Sequence, residues 1–181
     1  MKKAAAVFIS AFAIVGATAC TADEDKTPTP AEDSSALAQV IDVDLADFAT
    51  DGAEGYYRWT YADGRECAAT IAINGAPEDA VYCSVRFPDG TPEVKTDVFE
   101  GEPNALRLTA DGTEAIIIEG GPPGARPLEV NHRIDFAGMS CTALPDDGIT
   151  CTSPGGGFEF RNGDLTRHGT EIPPTMVGGG P

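Results

Sequence analysis

The chain has 181 residues and a formal net charge of −17, from 29 acidic and 12 basic side chains. This imbalance argues against nucleic acid as a partner, because phosphate binding depends on clustered Lys and Arg. It also argues against electrostatic adhesion to an anionic membrane surface, so any attachment to a membrane has to rest on lipid. The length suffices for one domain with a single core.

The N-terminus predicts a cleaved export signal over residues 1–19. Two lysines precede a mainly apolar run of sixteen residues, Ala4 to Ala19, and Cys20 follows directly. The run is shorter than the ~20 residues of an ordinary membrane span. Residues 17–20 resemble the bacterial lipobox, in which the cysteine is acylated and becomes the new N-terminus, although Ala17 stands where leucine is usual. The same residues also fit an ordinary secretory A-x-A site cut at the same bond.

Cysteine counting favours the lipid anchor. The chain has five cysteines, so one is left over after two pairs, and ordinary secretion would leave Cys20 as an exposed thiol. Acyl chains contribute about 0.8 kcal/mol per buried CH₂, so an acylated Cys20 would hold the protein at a membrane without a transmembrane helix. We therefore expect an exported protein on the outer face of the cell membrane, or a secreted one if Cys20 is not acylated. Removal of residues 1–19 leaves a net charge of −19.

Composition divides the mature chain into three parts. Residues 21–35 contain no aromatic and no branched aliphatic side chain, so residues 20–35 are predicted to be a flexible, lipid-anchored tether. Residues 36–168 are predicted to form a single β domain. Residues 169–181, which include Pro173-Pro174 and a Gly-rich end, are predicted to be a disordered tail.

Apolar residues in this domain recur with a period of two, which is typical of strands. Cys67, Ala69, Ile71 and Ile73 share one face of one segment, and Val81, Cys83, Val85 and Phe87 share one face of the next. Further strands are predicted at 56–61, 105–109, 115–119, 128–136, 139–144, 149–152 and 158–161. Asx-Gly turns separate many of them. The pattern predicts an antiparallel all-β fold, a sandwich or small barrel built from two disulfide-bearing halves.

Only residues 34–48 suggest a helix. Leu37, Val40, Ile41 and Leu45 lie near helical spacing, yet Ile41, Val43 and Leu45 also alternate as in a strand. A short N-terminal helix and a strand both remain open here.

The other four cysteines predict two hairpin disulfides, Cys67–Cys83 and Cys141–Cys151. In the second hairpin, a three-residue turn at 145–147 places Cys141 opposite Cys151, whereas the longer loop of the first hairpin leaves its register open. The alternative is a zinc site. Zinc sites usually take their ligands from short C-x₂₋₄-C knuckles, and these pairs are separated by fifteen and nine residues in an exported chain, so we expect no metal.

These motifs resemble those of small secreted or lipid-anchored actinobacterial proteins that have no assigned activity. Such proteins carry a glycine turn before a C…V-x-C pair, then G-x-x-C…G-[VI]-T-C and a Gly-rich stretch ending in GF. The corresponding segments here are 61–67, Val81-Tyr82-Cys83, Gly138-Met139-Ser140-Cys141, Gly148-Ile149-Thr150-Cys151 and Gly155-Gly156-Gly157-Phe158. The resemblance covers residues 56–168 and implies the fold, the disulfides and export. Gly156 departs from it, because a Gly-His-Gly is common at this place.

The sequence contains no distinctive catalytic constellation. His132 and His168 belong to no recognisable motif, and G-x-S-x-G and H-E-x-x-H are absent from the sequence. Among 29 acids, some pair will satisfy any distance criterion for glycoside hydrolysis by chance. Asp42, Asp44 and Asp47 lack the spacing of an EF-hand loop. We therefore assign no catalytic residues, cofactor or metal ligands.

The run Tyr56 to Tyr61 is the best candidate for a binding surface. Alternation places Trp59 on a core face and exposes Tyr56 and Arg58 on the other face, where they could recognise a ligand. The irregular loop 119–124 is a second candidate. We expect a non-catalytic binding or envelope-associated module whose partner is an envelope protein, glycan or lipid. The alternatives are a hydrolase that attacks envelope carbohydrate through acidic residues and a purely structural surface protein.

Overall fold

A computed structural model of the chain describes residues 39–71, 78–95, 100–119 and 124–173. These residues are mostly β-strand, and their only helical segment is a 3₁₀ helix at Leu45–Phe48. The strands are β1 (Ile41–Val43), β2 (Tyr56–Ala62), β3 (Arg65–Thr70), β4 (Ala80–Ser84), β5 (Val94–Lys95), β6 (Glu100–Gly101), β7 (Ala105–Thr109), β8 (Gly112–Ile116), β9 (Arg126–Pro127), β10 (His132–Phe136), β11 (Met139–Leu144), β12 (Gly148–Ser153), β13 (Gly156–Arg161), β14 (Asp164–Gly169) and β15 (Glu171–Ile172). The predicted all-β class is confirmed.

Two sheets form the sandwich. The six-stranded sheet has the order β1-β10-β11-β12-β13-β14, the seven-stranded sheet has the order β15-β8-β7-β4-β3-β2-β9, and β5 and β6 form a separate ribbon. The longer strands pair antiparallel, whereas the short strands β1, β9 and β15 pair parallel to β10, β2 and β8. Each sheet contains one cysteine hairpin, so the domain is built from two disulfide-bearing halves as the sequence predicts.

The core lies between the inner faces of the two sheets. Trp59 of β2 is fully buried and meets Phe136 of β10 edge-on, with ring centroids 6.2 Å apart. Tyr61, on the same face of β2, meets Phe160 of β13 at 6.5 Å. Phe48 of the 3₁₀ helix closes one end against Trp59 at 6.3 Å. Offset edge-on pairs add to the stabilisation that aromatic burial gives, so these contacts bind the sheets together.

Both disulfides join directly opposed residues of neighbouring strands. Cys67 pairs with Cys83 between β3 and β4, and Cys141 pairs with Cys151 between β11 and β12. Each Cα–Cα distance is 4.1 Å, the short spacing of a non-hydrogen-bonded antiparallel pair. All four cysteines are fully buried on the inner faces. Two disulfides indicate an oxidising, extracytoplasmic environment.

The hairpin turn at 145–147 sets the register of the second pair. Asp146 and Asp147 take left-handed conformations with φ of 60° and 54°, which Asp tolerates better than most residues. Leu144 then lies opposite Gly148, as the sequence predicts. The sequence does not determine the register of the first hairpin. The structure places Cys67 directly opposite Cys83.

Three strand predictions are corrected. The strand predicted at 115–119 begins earlier, at Gly112, and ends at Ile116. The strand predicted at 128–136 begins only at His132, as β10, after a turn in which Asn131 has a φ of 63°. Residues 164–169, where no strand is predicted, form β14 at the edge of the six-stranded sheet.

Ordered structure also continues past the predicted boundary at His168. Gly169 ends β14, and Glu171–Ile172 form β15 beside β8. The chain comes very close to β8 here, since a Cβ on Gly112 would lie 2.2 Å from the Thr170 carbonyl oxygen. That oxygen accepts a hydrogen bond of 2.9 Å from the Thr113 amide. These residues therefore belong to the sheet rather than to the predicted tail, whose remainder lies outside the described residues.

The Gly-rich turn before β13 is a place of close backbone approach. A Cβ on Gly155 would lie 2.2 Å from the Asp111 carbonyl carbon. Gly156 has a φ of 152°, and a Cβ there would lie 2.4 Å from the His168 carbonyl oxygen. The backbone of this chain thus leaves no room at Gly156 for the histidine that is common in the proteins it resembles.

The ambiguous segment resolves into both elements. Residues 41–43 form β1, and Leu45–Phe48 form the 3₁₀ helix, which Asp44 caps by accepting a 2.9 Å hydrogen bond from the Ala46 amide. Cys20, the predicted signal, the tether and residues 34–38 lie outside the described residues. No helix among the described residues is long and apolar enough to cross a membrane.

Candidate functional site

A groove of about 800 Å³ lies on the outer face of the seven-stranded sheet, and we call it the outer-face groove. Its floor is formed by small side chains of three adjacent strands, Thr60 of β2, Ala68 and Thr70 of β3, and Ser84 of β4. These residues alternate with the buried inner residues of the same strands, so they face away from the core. The fold supplies a concave surface here because the floor is low.

Two tyrosines stand over that floor on opposite sides of β3. Tyr56 of β2 lies opposite Thr70, and Tyr82 of β4 lies opposite Ala68. Two strand spacings and two residue rises separate the tyrosines, so their Cα atoms are about 12 Å apart. The trough over Ala68 and Thr70 therefore has an aromatic side chain on each flank.

The prediction that Arg58 is exposed in a binding patch is wrong. Its side chain is only 8% exposed and forms a bidentate ion pair with Glu66. Its Nε donates to Oε1 at 2.5 Å and its Nη2 donates to Oε2 at 2.6 Å. The hydrogen bonds that Arg58 donates to Glu66 outweigh the effect of burial and raise the pKa of Arg58. Arg58 thus has a partner within the fold, whereas Tyr56 does line the groove.

A second cluster of charged side chains lies beyond Tyr82 on the same face. Arg107 of β7 is opposite Tyr82 and donates to Glu114 at 3.0 Å and to Glu78 at 2.6 Å. Burial lowers the pKa of Arg107, but hydrogen bonds with Glu114, Tyr82 and Glu78 raise it, and the net shift is upward. The guanidinium therefore pairs with two carboxylates on the sheet face that also carries Tyr82.

One rim of the groove is formed by the chain that leaves β8. Ile118 is fixed to Asn104 by two hydrogen bonds, from the Ile118 amide to Oδ1 at 2.8 Å and from Nδ2 to the Ile118 carbonyl at 2.9 Å. Ile118, Glu119 and Gly124 line the groove. The loop singled out from the sequence therefore contributes its two described ends to the site.

Charge in the lining is mixed, with an acidic excess. Among the described lining residues, the carboxylates are those of Glu66 and Glu119, and the cation is Arg65. The Arg65 guanidinium lies over the ring of Phe160, 4.5 Å from its centroid, so its charge is already engaged by an aromatic face. An anion entering the groove would meet two carboxylates and a cation that has a partner.

The two histidines lie elsewhere. His132 begins β10 and His168 is in β14, both in the six-stranded sheet, and neither lines the outer-face groove. His132 Nδ1 is 3.2 Å from the Val130 carbonyl oxygen. Within the four described ranges, no group of three or more His, Cys, Asp or Glu side chains is placed to hold a metal ion.

Sequence reasoning found Tyr56 and the loop but missed Tyr82, Ser84 and Glu66. The signal for Tyr82 and Ser84 was present, because they alternate with the core residue Cys83 on β4. The signal for the Arg58–Glu66 pair was the opposite charge on the outer phase of two strands joined by the Asp63-Gly64 turn. What the pattern did not show was that these strands lie beneath a groove.

Comparison with protein families, with curated proteins and with solved structures finds no match to the chain.

Proposed function

We propose that the protein is an exported, lipid-anchored, non-catalytic module that binds its ligand in the outer-face groove. The observation that carries the proposal is the pair of tyrosines that line a groove with a low floor, on a sheet face that also carries the ion pairs of Arg58 and Arg107. Ligand sites are typically concave, largely pre-formed and about 300–1,000 Å³ in volume. Side chains fixed by packing and hydrogen bonds on strands recognise ligands with little ordering cost.

The relation to other proteins and the anchor are part of the same proposal. The two cystine hairpins and their flanking glycines support kinship with the small exported actinobacterial proteins that the motifs resemble. The position of Cys20 after the apolar run, and its place as the odd cysteine, support acylation. Cys20→Ser should release the mature protein from membranes into the medium. An N-terminus of the wild-type protein that carries no lipid mass would contradict the anchor.

Glycoside hydrolysis is the second candidate, because Glu66 and Glu119 both line the groove and such enzymes use two carboxylates. Binding is favoured over hydrolysis by the ion pair on Glu66. Both of its oxygens accept hydrogen bonds from Arg58, so a catalytic role would require this pair to break. A carboxylate in that arrangement serves to hold the strand surface together.

Retention from an envelope extract tests the proposal. The immobilised mature chain should retain an envelope component that is lost on Tyr56→Ala and on Tyr82→Ala. Thr142→Ala is the matched control, since Thr142 lies on the six-stranded sheet in β11. Equal retention by all variants would contradict the groove as the site. Release of new reducing ends from the extract, abolished by Glu119→Gln, would establish the hydrolase instead.

A further inference from the structure

We propose that the ligand class of the outer-face groove is a neutral glycan, an inference that rests on the binding function proposed above. It follows from four properties of the described lining: its charge, its aromatic side chains, its hydroxyl groups and its position in the sheet. The charge disfavours anions, the hydroxyl groups disfavour lipid, the position disfavours an extended peptide, and the aromatic side chains fit a neutral glycan.

The charge of the groove disfavours anionic ligands. Its described lining includes two carboxylates, Glu66 and Glu119, and its guanidinium, Arg65, is stacked on Phe160. The two arginines beside the groove, Arg58 and Arg107, are held by carboxylates at 2.5–3.0 Å. A phosphate, sulfate or uronate would have to displace one of these pairs and approach a chain of net charge −17. Neutral ligands meet no such cost.

The aromatic flanks match the faces of sugar rings. Tyrosine combines an apolar ring with a polar tip and is suited to a half-wet site. A sugar ring offers a C–H face that packs on an aromatic side chain and a rim of hydroxyl groups that needs hydrogen bonds. Tyr56 and Tyr82 flank the trough about 12 Å apart at Cα, a distance that spans more than one sugar ring. We therefore assign a short oligosaccharide rather than a monosaccharide.

The polar groups of the floor and rim supply the hydrogen bonds. Thr60 and Ser84 line the floor with hydroxyl groups, and Glu119 on the rim offers an exposed carboxylate to sugar hydroxyls. An acyl chain in the same place would remove the hydrogen bonds that these polar groups make with water. It would offer no hydrogen bonds in return, and this loss is costly. Lipid is therefore disfavoured in the groove itself.

The position of the groove disfavours an extended peptide. The groove lies over β2, β3 and β4, and each of these strands has a neighbour on both sides in the seven-stranded sheet. The backbone groups of β3 and β4 are therefore engaged in the sheet. The outer side of β2 is covered by β9 at Trp59 and Thr60 and by a bridge between Ala49 and Tyr57, so an added strand would not find a free edge over the groove. A ligand in this groove has to be recognised by side chains alone, as an oligosaccharide is.

Amide NMR titration of the secreted Cys20→Ser form of the mature chain tests this inference. The probes are neutral hexasaccharides of glucose and of N-acetylglucosamine, a hexameric uronate, a proline-rich peptide and phosphatidylglycerol vesicles. We expect saturable shifts centred on the amides of Tyr56, Ala68 and Tyr82 with a neutral hexasaccharide. The affinity should be unchanged between low and high salt because the ligand carries no charge.

Two variants test the geometry. Tyr82→Ala should weaken binding at least tenfold, and Ala68→Leu, which fills the trough from a position on the outer face, should do the same. Thr142→Ala should bind as the wild type does. An unchanged affinity in Ala68→Leu would overturn the inference even if Tyr82→Ala failed to fold.

The outcomes separate this inference from the proposed function. Groove shifts with the uronate, the peptide or the vesicles alone would overturn the neutral glycan and leave a binding groove in place. If no probe shifts the groove amides but retention from an envelope extract still depends on the groove, the neutral glycan is again overturned and the binding groove remains. If retention also fails, both proposals are wrong.

Discussion

The outer faces of the two sheets differ although their inner faces are built alike. Both inner faces bury a directly opposed cystine pair and aromatic side chains. On the outer face of the seven-stranded sheet, the ion pairs of Arg58 and Arg107 are mostly buried, with side-chain exposures of 8% and 14%. On the six-stranded sheet, Arg133 and Arg161 are 39% and 43% exposed and pair with exposed aspartates.

This difference shows which part of the molecule is specialised. Exposed ion pairs contribute little, about 0–1 kcal/mol, and serve mainly to keep a surface soluble. Buried pairs cost desolvation and are retained where they fix a particular arrangement. The inner faces therefore specify the sandwich, whereas the outer face of the seven-stranded sheet carries fixed ion pairs beside the outer-face groove.

Removal of a disulfide should give the largest loss of unfolding free energy. Comparing the two removals separates an effect on stability from an effect on the structure of the groove. Cys67→Ala/Cys83→Ala and Cys141→Ala/Cys151→Ala should each lower the unfolding free energy by about 3 kcal/mol. The closed loops have sequence separations of 16 and 10 residues. Their loop-entropy terms differ by only about 0.4 kcal/mol. Urea unfolding of the two double variants measures both losses.

Only the first removal should change the groove, because Cys67 lies beside its floor and joins β3 to β4. The amide shifts of Tyr82 and Ala68 in the folded variants report this. If the Cys141→Ala/Cys151→Ala variant disturbs those amides as strongly, the two outer faces are not independent and the comparison fails.

Loss of an arginine should cost more on the outer face of the seven-stranded sheet. Arg58→Met leaves Glu66 without its bidentate partner, and we expect a loss of about 2 kcal/mol. This figure is reduced from the ~3–5 kcal/mol of a fully buried pair because Glu66 is 26% exposed. Arg161→Met removes an exposed pair with Asp146 and should change stability by less than about 1 kcal/mol.

A double-mutant cycle identifies the cause of the larger loss. Arg58→Met/Glu66→Gln should recover part of the stability, since no carboxylate is then left unpaired. Equal losses for Arg58→Met and Arg161→Met in chemical unfolding would show that the buried pair has no special role.

Sequence periodicity predicted the parts of the fold that depend on side-chain burial. The strands at 105–109 and 139–144 match β7 and β11, and the turn at 145–147 gave the correct register for Cys141 and Cys151. Apolar side chains on one face of these strands carry the information directly.

Elements held by backbone contacts carried no such signal. In β14, Leu165 is the only large apolar side chain, so no period of two is visible. The strand is held by its ladder with β13 and by close approach at Gly155 and Gly169, where a Cβ on Gly169 would lie 2.4 Å from the Gly155 carbonyl oxygen. A close approach of two backbones at a glycine involves no apolar side chain, so hydrophobic patterning does not predict it.

The candidate site was predicted in part for the same reason. Alternation assigned Tyr56 and Arg58 to the outer face correctly, but it says nothing of what lies across the strand. The burial of Arg58 depends on Glu66 in β3, and the groove depends on Ile118, which Asn104 fixes to the rim. These are contacts between strands and loops, and their geometry follows only from the folded chain.

Loss of the Tyr61 hydroxyl should have a smaller effect than loss of Arg58, and its dependence on pH tests the packing between the two sheets. Its ring packs on Phe160 across the core, and its hydroxyl donates to the Ser84 carbonyl at 2.5 Å. Burial raises the pKa of this phenol, and the nearby Arg65 only partly offsets the rise. Unfolding exposes the phenol to water, where its pKa is about 10.

The sign of the pH effect follows from linkage. Above about pH 10 the unfolded state loses the Tyr61 proton while the folded state keeps it, so stability that is fully present below this pH falls as pH rises, by at most about 1.4 kcal/mol per unit. Tyr61→Phe should remove this contribution and cost about 1 kcal/mol at pH 7 through the lost hydrogen bond. Urea unfolding of both proteins at pH 8, 10 and 11 measures the difference, in which all other titrating groups cancel. If the free energy of unfolding depends on pH equally in the two proteins, the phenol is not buried between the sheets.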